Sequence, residues 1–368
     1  MKKLKILELC HFSAGSCGVW QRVKQESQLL SRNHQVKVFS SNAVKDSDEI
    51  AKTPDKIGDV EIRRFPFIKI AGESGMYWNY KKVALDYKPD IIIAHVYRHL
   101  HTTTALKIAK KIHCKVFLVT HAPFVPGDST RSFVSKYLVR FYDRFVASRK
   151  INQFDKIIAI SKWEVPYLLE IGAKEEKIVY IPNGIPDEFF TQSQSKEENK
   201  ILFLGRISPI KNLEVLIKAM PYIDKQYNLE IVGPADENYL KELKLLVKQN
   251  QLSNVKFSPS IWDLKNKIRK VDSCKIFVLP SKREAMPQAL IEAMARGKIP
   301  VATDCEGTRD LIENGKNGFL FENNNSKDLA DKINLALKSN RQANINAKKS
   351  VERFKWSLVI KTLEGLFV

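Results

Sequence analysis

The sequence predicts an α/β protein of two doubly wound domains, and three observations point to it. At 368 residues the chain exceeds what one hydrophobic core usually supports. Short apolar runs alternate with helix-length segments along most of it, the pattern of parallel sheets with crossover helices. The alternation breaks at residues 191–199, Thr-Gln-Ser-Gln-Ser-Lys-Glu-Glu-Asn, which contain no apolar residue and no periodicity and read as an interdomain linker. The expected division is a first domain over 1–186, a linker over 187–199 and a second domain over 200–353.

Composition narrows the class. A hydrophobic content of 44% is ordinary for a globular protein. No apolar run reaches the roughly 18 residues that a membrane-spanning helix needs, and the opening Met1-Lys2-Lys3-Leu4-Lys5 leads into a strand pattern with no cleavage site. The expectation is a soluble, cytoplasmic protein. Five scattered cysteines form neither a disulfide framework nor a zinc spacing. The net charge of +20 predicts attraction to anionic surfaces. No helix-turn-helix, finger or stacking motif accompanies it, so specific nucleic-acid binding is not expected. An anionic membrane surface fits as a partner, with peripheral attachment to its inner face; a lysine-rich usage that reflects only the organism's proteome stays open.

In chain order, residues 5–10 read as a buried strand, 11–18 as a small-residue loop and 19–31 as a helix. Gly15-Ser16-Cys17-Gly18 is not Gly-x-Gly-x-x-Gly, and no acidic residue clearly ends the strand at 35–39, so a dinucleotide site is disfavoured. Asp46-Ser47-Asp48 spells Asp-x-Asp but sits in a polar stretch, 42–55, that reads as solvated loop, and no metal is expected there. A strand at 60–65 precedes an aromatic-rich stretch at 65–78, where Gly72 and Gly75 free the loop either to touch an acceptor or to pack beneath the sheet. Residues 89–95 form a buried strand and 101–113 a helix. Another buried strand, 115–121, delivers His121 at its C-terminal end, whereas His95, His99 and His101 read as surface or packing residues. Residues 129–151 read as one helix with an apolar stripe of Phe133, Tyr137, Leu138, Phe141, Phe145 and Val146. Arg131, Lys136, Arg140, Arg144, Arg149 and Lys150 surround the stripe, which suits either core or lipid. Strands at 156–160 and 178–181 lead to the tight turn of Pro182-Asn183-Gly184-Ile185.

The second half holds the chemistry. A strand at 201–204 ends in Gly205, followed by Arg206, Lys211 and a helix. An apolar strand at 275–279 runs into a helix whose first turn is expected to hold Pro287. Further strands fall at 229–232, 255–257 and 299–303, and Gly315 and Gly318 read as turn glycines before residues 319–321. Turns after parallel strands open on one sheet edge, where ligands bind. Arg206, Lys211 and a helix N-terminus would converge there on a diphosphate. Glu284 and Glu292 would repel phosphate, so they are expected to serve hydroxyl groups. Cations for a diphosphate beside acceptors for hydroxyls describe a nucleotide sugar. Gly233-Pro234 and residues 258–261 share this edge, where their backbone would read the base.

The combination of Gly205-Arg206, Lys211, and Glu284 followed by seven residues and Glu292 resembles the retaining glycosyltransferases of family 4, most strongly over residues 177–321. That resemblance implies the GT-B architecture, two Rossmann-like domains facing across a cleft, with the C-terminal helix, 354–368, crossing back to the first. It implies that Arg206 and Lys211, with the amides of Met286, Gln288 and Ala289, stabilise the departing diphosphate. Glu284 would face sugar hydroxyls, Glu292 the ribose and His121 the transferred sugar. Gly18, Asn183, Gly205 and Gly307 are the remaining donor-side positions, and Thr308 a weaker one. This chain departs from the family at Cys17, where a glycine is usual, and at Glu306 and Asp310. The implied reaction moves a sugar from a nucleoside diphosphate to a hydroxyl of a glycan or lipid-linked acceptor, with retention, no cofactor and no obligate metal. Donor base, sugar and acceptor stay open. The alternatives are a GT-B epimerase or phosphorylase, a non-enzymatic basic anion-binding protein and, last, a nicotinamide oxidoreductase.

Overall fold

The computed structural model describes residues 2–15, 17–45, 47–70, 75–123, 137, 141, 143, 145, 148–192, 196–339 and 341–368. It divides into two compact units, Met1–Pro182 with Val359–Val368, and Asn183–Leu358.

The first unit is built on an eight-stranded sheet. Its spatial order is Ile178–Tyr180, Lys156–Ala159, Lys115–Val119, Ile91–His95, Lys5–Leu9, Gln35–Ser41, Val60–Phe65 and Asp55–Ile57, parallel except for the last pair. The central strand Ile-Ile-Ile-Ala-His95 is buried at every position, as expected for a parallel strand covered on both faces. Helix Gly18–Leu30 packs through Trp20, Val23 and Leu30, and the same face buries Arg22 and Glu26. A short hairpin, Phe67–Lys69 with Met76–Trp78, buries Met76 and Trp78 and leaves Tyr77 exposed. The closing stretch belongs to this unit: Glu364 accepts from Asn33 at 3.1 Å, and Phe367 stacks on Phe117.

Within the expected helix 129–151, Arg131, Phe133, Lys136, Leu138, Arg140, Arg144 and Val146 lie outside the described residues, as do Asp46 and Gly72. Tyr137, Phe141 and Phe145 are 58%, 62% and 50% exposed, so these members of the stripe are not core. Asp143 is buried, with Arg98 closing on its carboxylate through bonds of 2.8 and 2.6 Å.

The second unit holds a fully parallel sheet in the order Val255–Ser258, Asn228–Val232, Lys200–Leu204, Ile276–Leu279, Ile299–Thr303, Phe319–Phe321. Ile201, Leu202 and Phe203 are wholly buried at its centre. Phe189, inside the stretch expected as linker, is also buried in this core. The adjoining backbone is held by Arg296, whose guanidinium donates to the carbonyls of Phe189 and Thr191 and forms a bidentate pair with buried Asp272. The Asn183-Gly184-Ile185 turn is stitched to residues 354–356 by Ile185 N–H to the Phe354 carbonyl and Trp356 N–H to the Ile185 carbonyl. Only glycine fits at 184, since a Cβ there would lie 2.1 Å from the Trp356 ring.

Candidate functional site

In the second unit the strand order reverses between Lys200–Leu204 and Ile276–Leu279, which are hydrogen-bonded neighbours though far apart in sequence. Such a switch point leaves a crevice at the C-terminal ends of the two strands. The segments leaving these ends are those of the sequence motif, and they are joined. Lys282 N–H donates to the Ile210 carbonyl at 2.9 Å, and Lys211 Nζ donates to Glu284 Oε1 at 2.6 Å. Gly205 and Gly233 are in direct backbone contact: a Cβ on Gly233 would lie 1.9 Å from the Gly205 carbonyl oxygen. Arg206, on the same turn, is exposed.

Helix Gln288–Ala295 rises from this edge with no acidic residue in its first turn. Pro287 is its cap, one position earlier than expected, and its carbonyl accepts from the Leu290 and Ile291 amides. The Gln288 and Ala289 amides thus open the helix, where the dipole favours an anion. Met286 is docked by its sulfur, which accepts from Asn183 N–H at 3.2 Å. Glu292 lies one turn along, 6% exposed, with the Lys267 ammonium 2.6 Å from its carboxylate. Burial raises the Glu292 carboxyl's pKa against the opposing pull of Lys267. Gly307 supports the motif from below: a Cβ there would meet the Glu284 carbonyl oxygen at 2.4 Å. Thr308 is buried, with its hydroxyl donating to the Cys305 carbonyl and accepting from Cys305 N–H, so its polar capacity is spent on its own helix cap.

The first unit has its own switch point, between Lys5–Leu9 and Ile91–His95. Gly18 opens the helix that follows the first of these strands; it is exposed, and a Cβ on it would meet open space. The turns after the neighbouring strands are strained. Val96, Arg98, His121 and Ala122 have φ of 77°, 72°, 59° and 46°, values that L-residues seldom adopt. Buried Glu164 holds the last two in place, accepting from the Thr120 hydroxyl at 2.7 Å and the Ala122 amide at 3.0 Å. His121 Nε2 lies 2.9 Å from His95 Nδ1, and His95 Nε2 lies 2.6 Å from Glu8 Oε2. His95 and His101 are therefore packed residues, not surface ones. Both are buried, and His101 Nε2 bonds the His95 carbonyl at 2.9 Å. Burial lowers the pKa of His95 to about 3, and burial with the neighbouring His95, Arg22 and His99 lowers that of His121 well below the usual range. Burial thus favours the neutral form of both imidazoles.

No motif singles out Glu8, Arg22, Glu26, Glu164 or Lys267. A signal exists for three of them. Glu8 is the lone acid in the apolar strand Lys-Ile-Leu-Glu-Leu, and Arg22 and Glu26 fall at helical spacing on the face that holds Val23 and Leu30.

Residues 18–189 match the family model for Glycosyltransferase Family 4 and residues 185–353 that for Glycosyl transferases group 1. An uncharacterized glycosyltransferase of Methanocaldococcus jannaschii is 32% identical over 219 residues, which are 58% of this chain and 59% of that protein. The match thus spans less than two thirds of that relative. A Campylobacter jejuni protein, GalNAc-alpha-(1->4)-GalNAc-alpha-(1->3)-diNAcBac-PP-undecaprenol alpha-1,4-N-acetyl-D-galactosaminyltransferase, is 25% identical over 341 residues, 90% of this chain and 89% of that one. Among solved structures, Anabaena HepE in complex with UDP aligns over 99% of both chains with a TM-score of 0.76 at 20% identity, a likeness of fold. With the two models spanning residues 18–353 between them, the chain belongs to glycosyltransferase family 4 and has the GT-B fold.

Proposed function

We propose that the protein transfers a sugar from a nucleoside diphosphate to a hydroxyl of a glycan or lipid-linked acceptor, with retention at the anomeric carbon. The observation that supports this best is the junction of two distant segments at the second unit's switch point, where Lys211 meets Glu284. A diphosphate arriving there draws on Arg206, Lys211 and the Gln288 and Ala289 amides, which stabilise the charge that builds as it leaves. Lys211 then divides its hydrogen bonds between phosphate and Glu284, and Glu284 turns its acceptor oxygens to sugar hydroxyls. Glu292, partnered by Lys267, takes the ribose, and His121 is assigned to the transferred sugar by the family resemblance. Fixed cations fill the part a divalent metal would play, so transfer needs none. The fold neighbour HepE was crystallised with UDP, and the Campylobacter jejuni relative is named for an undecaprenol-diphosphate-linked acceptor, which favours a uridine donor and a lipid-linked glycan.

The test is a thermal-shift screen of nucleoside diphosphates and their sugar conjugates with EDTA present throughout. A ligand that binds the native state raises Tm by mass action, by an amount equivalent to about 2.7 kcal/mol at a hundred times Kd. A rise with one base, lost in Lys211→Ala, is the expected result. No rise with any nucleotide, or a rise only when metal replaces EDTA, would overturn the reading.

A further inference from the structure

We propose that Glu8 and His95 are positioning residues that hold His121 in a single tautomer, its proton on Nε2 and a bare lone pair on Nδ1. The hydrogen-bonded chain dictates this from its buried end. Arg22 Nε donates to Glu26 Oε2 at 2.9 Å, and both side chains are fully buried. Glu8 Oε1 and Glu26 Oε1 are buried oxygens without a hydrogen-bond partner, and oxygens of the two carboxyls lie within 4.8 Å of each other. One proton between these oxygens satisfies both. It also leaves one carboxylate charge against the Arg22 charge, so the buried cluster is neutral, as desolvation demands. Burial raises the pKa of both carboxyls against the pull of Arg22, consistent with that retained proton.

Glu8 Oε2 then acts only as an acceptor, and at 2.6 Å it accepts a hydrogen bond from His95 Nε2–H. His95 Nδ1 is left as an acceptor, so in the 2.9 Å contact His121 Nε2–H is the donor. The reverse order would put the proton on Glu8 Oε2 and leave two bare carboxylate oxygens facing each other. His121 Nδ1, bonded by no described residue, is thereby an acceptor, and the Glu164-anchored left-handed turn fixes its direction. The charged and titratable groups around this chain are Arg22 and Glu26 from helix Gly18–Leu30, Glu8 and His11 from the first strand and its turn, His99 and His101 beyond the strand of His95, and Glu164, raised by burial to about 7, against the turn of His121. The ligand atoms of Glu8, Glu26 and His95 lie within 4.8 Å of one another, near enough for a cation. Arg22 already occupies the electrostatic place a cation would take. The consequence for catalysis rests on the proposed sugar transfer: a hydroxyl of the ligand donates its hydrogen to His121 Nδ1, so the site prefers a sugar with a free hydroxyl there over its deoxy analogue.

Long-range nitrogen–proton correlation spectra of the histidine side chains in the ¹⁵N-labelled full chain test the tautomer directly. His121, assigned by its loss in His121→Asn, is expected as the Nε2–H form, unchanged between about pH 5 and 8. An Nδ1–H form, a rapidly exchanging mixture, or titration near an ordinary histidine pKa would overturn the proposal. In His95→Asn the lock is broken, and His121 should become an exchanging mixture; a pure Nε2–H form in a folded His95→Asn would also overturn it. Were that variant unfolded, the wild-type spectrum would decide alone. In steady-state kinetics, His95→Asn should lower kcat for the sugar donor at least tenfold while nucleoside diphosphate affinity holds. Absence of transfer from every donor would refute the proposed function and leave the spectrum to judge the tautomer.

Discussion

At the scale of single residues, glycines at this site act through what they let approach. Gly307 shows it: its hydrogen lies against the Glu284 and Ala285 carbonyls, and an added Cβ would stand 2.4 and 2.8 Å from their oxygens. Neither is the far end of a flexible side chain, so the backbone carrying Glu284 must shift. Misplacing a catalytic group by about 1 Å can cost about a hundredfold in rate. Gly307→Ala is therefore expected to lower kcat/KM by about two orders of magnitude while the protein stays folded by circular dichroism. Unchanged kinetics would show that the Glu284 segment does not depend on this contact. His121 illustrates the same economy in reverse, since a non-glycine residue keeps φ of 59° because Glu164 accepts from the Thr120 hydroxyl before it and the Ala122 amide after it.

Among the elements, what could be read from sequence was what lies close together in sequence. Strands such as Ile91–His95 are unbroken apolar runs, and the donor-side motif sits on two turns, each contiguous. The histidine chain was not legible, because Glu8, Arg22, Glu26, His95 and His121 come from four elements that only the sheet order assembles. In sequence the apolar stripe at 137, 141 and 145 stays open between core and lipid for a related reason. Periodicity shows that a face exists, not what covers it. Pairings between elements also set the acid limb of stability. Glu230, in strand Asn228–Val232, is buried, which alone would raise its pKa. Lys270 at 2.8 Å, the Ser258 hydroxyl at 2.7 Å and Lys200 overcome that and bring it to about 2. With the folded value below the unfolded one, this pairing adds full stability above the ordinary carboxylate range and loses it as pH falls through about 2. Glu230→Gln should lower Tm at neutral pH and flatten its decline toward acid. An unaltered slope between about pH 4.5 and 2 would assign the acid limb to other carboxyls.

For the whole molecule, the net charge of +20 is the feature that neither the fold nor the donor site explains. No described helix is long and apolar enough to cross a membrane. The first unit nevertheless exposes Ile50, Ile68, Ile70, Tyr137, Phe141 and Phe145, each at least half accessible. Apolar side chains presented by a strongly cationic protein favour an anionic bilayer surface, where each nearby cation contributes about 1 kcal/mol and salt screens the attraction. A lipid-linked acceptor, as proposed, would be met at that surface. The chain should therefore sediment with vesicles containing phosphatidylserine and much less with phosphatidylcholine alone, and the difference should shrink as salt is raised. Phe141→Ser should weaken the anionic binding without altering nucleotide affinity, because the residue lies outside the donor motif. Equal recovery with both vesicle types, or none with either, would refute an electrostatic membrane partner, and the charge would then remain a property of composition alone.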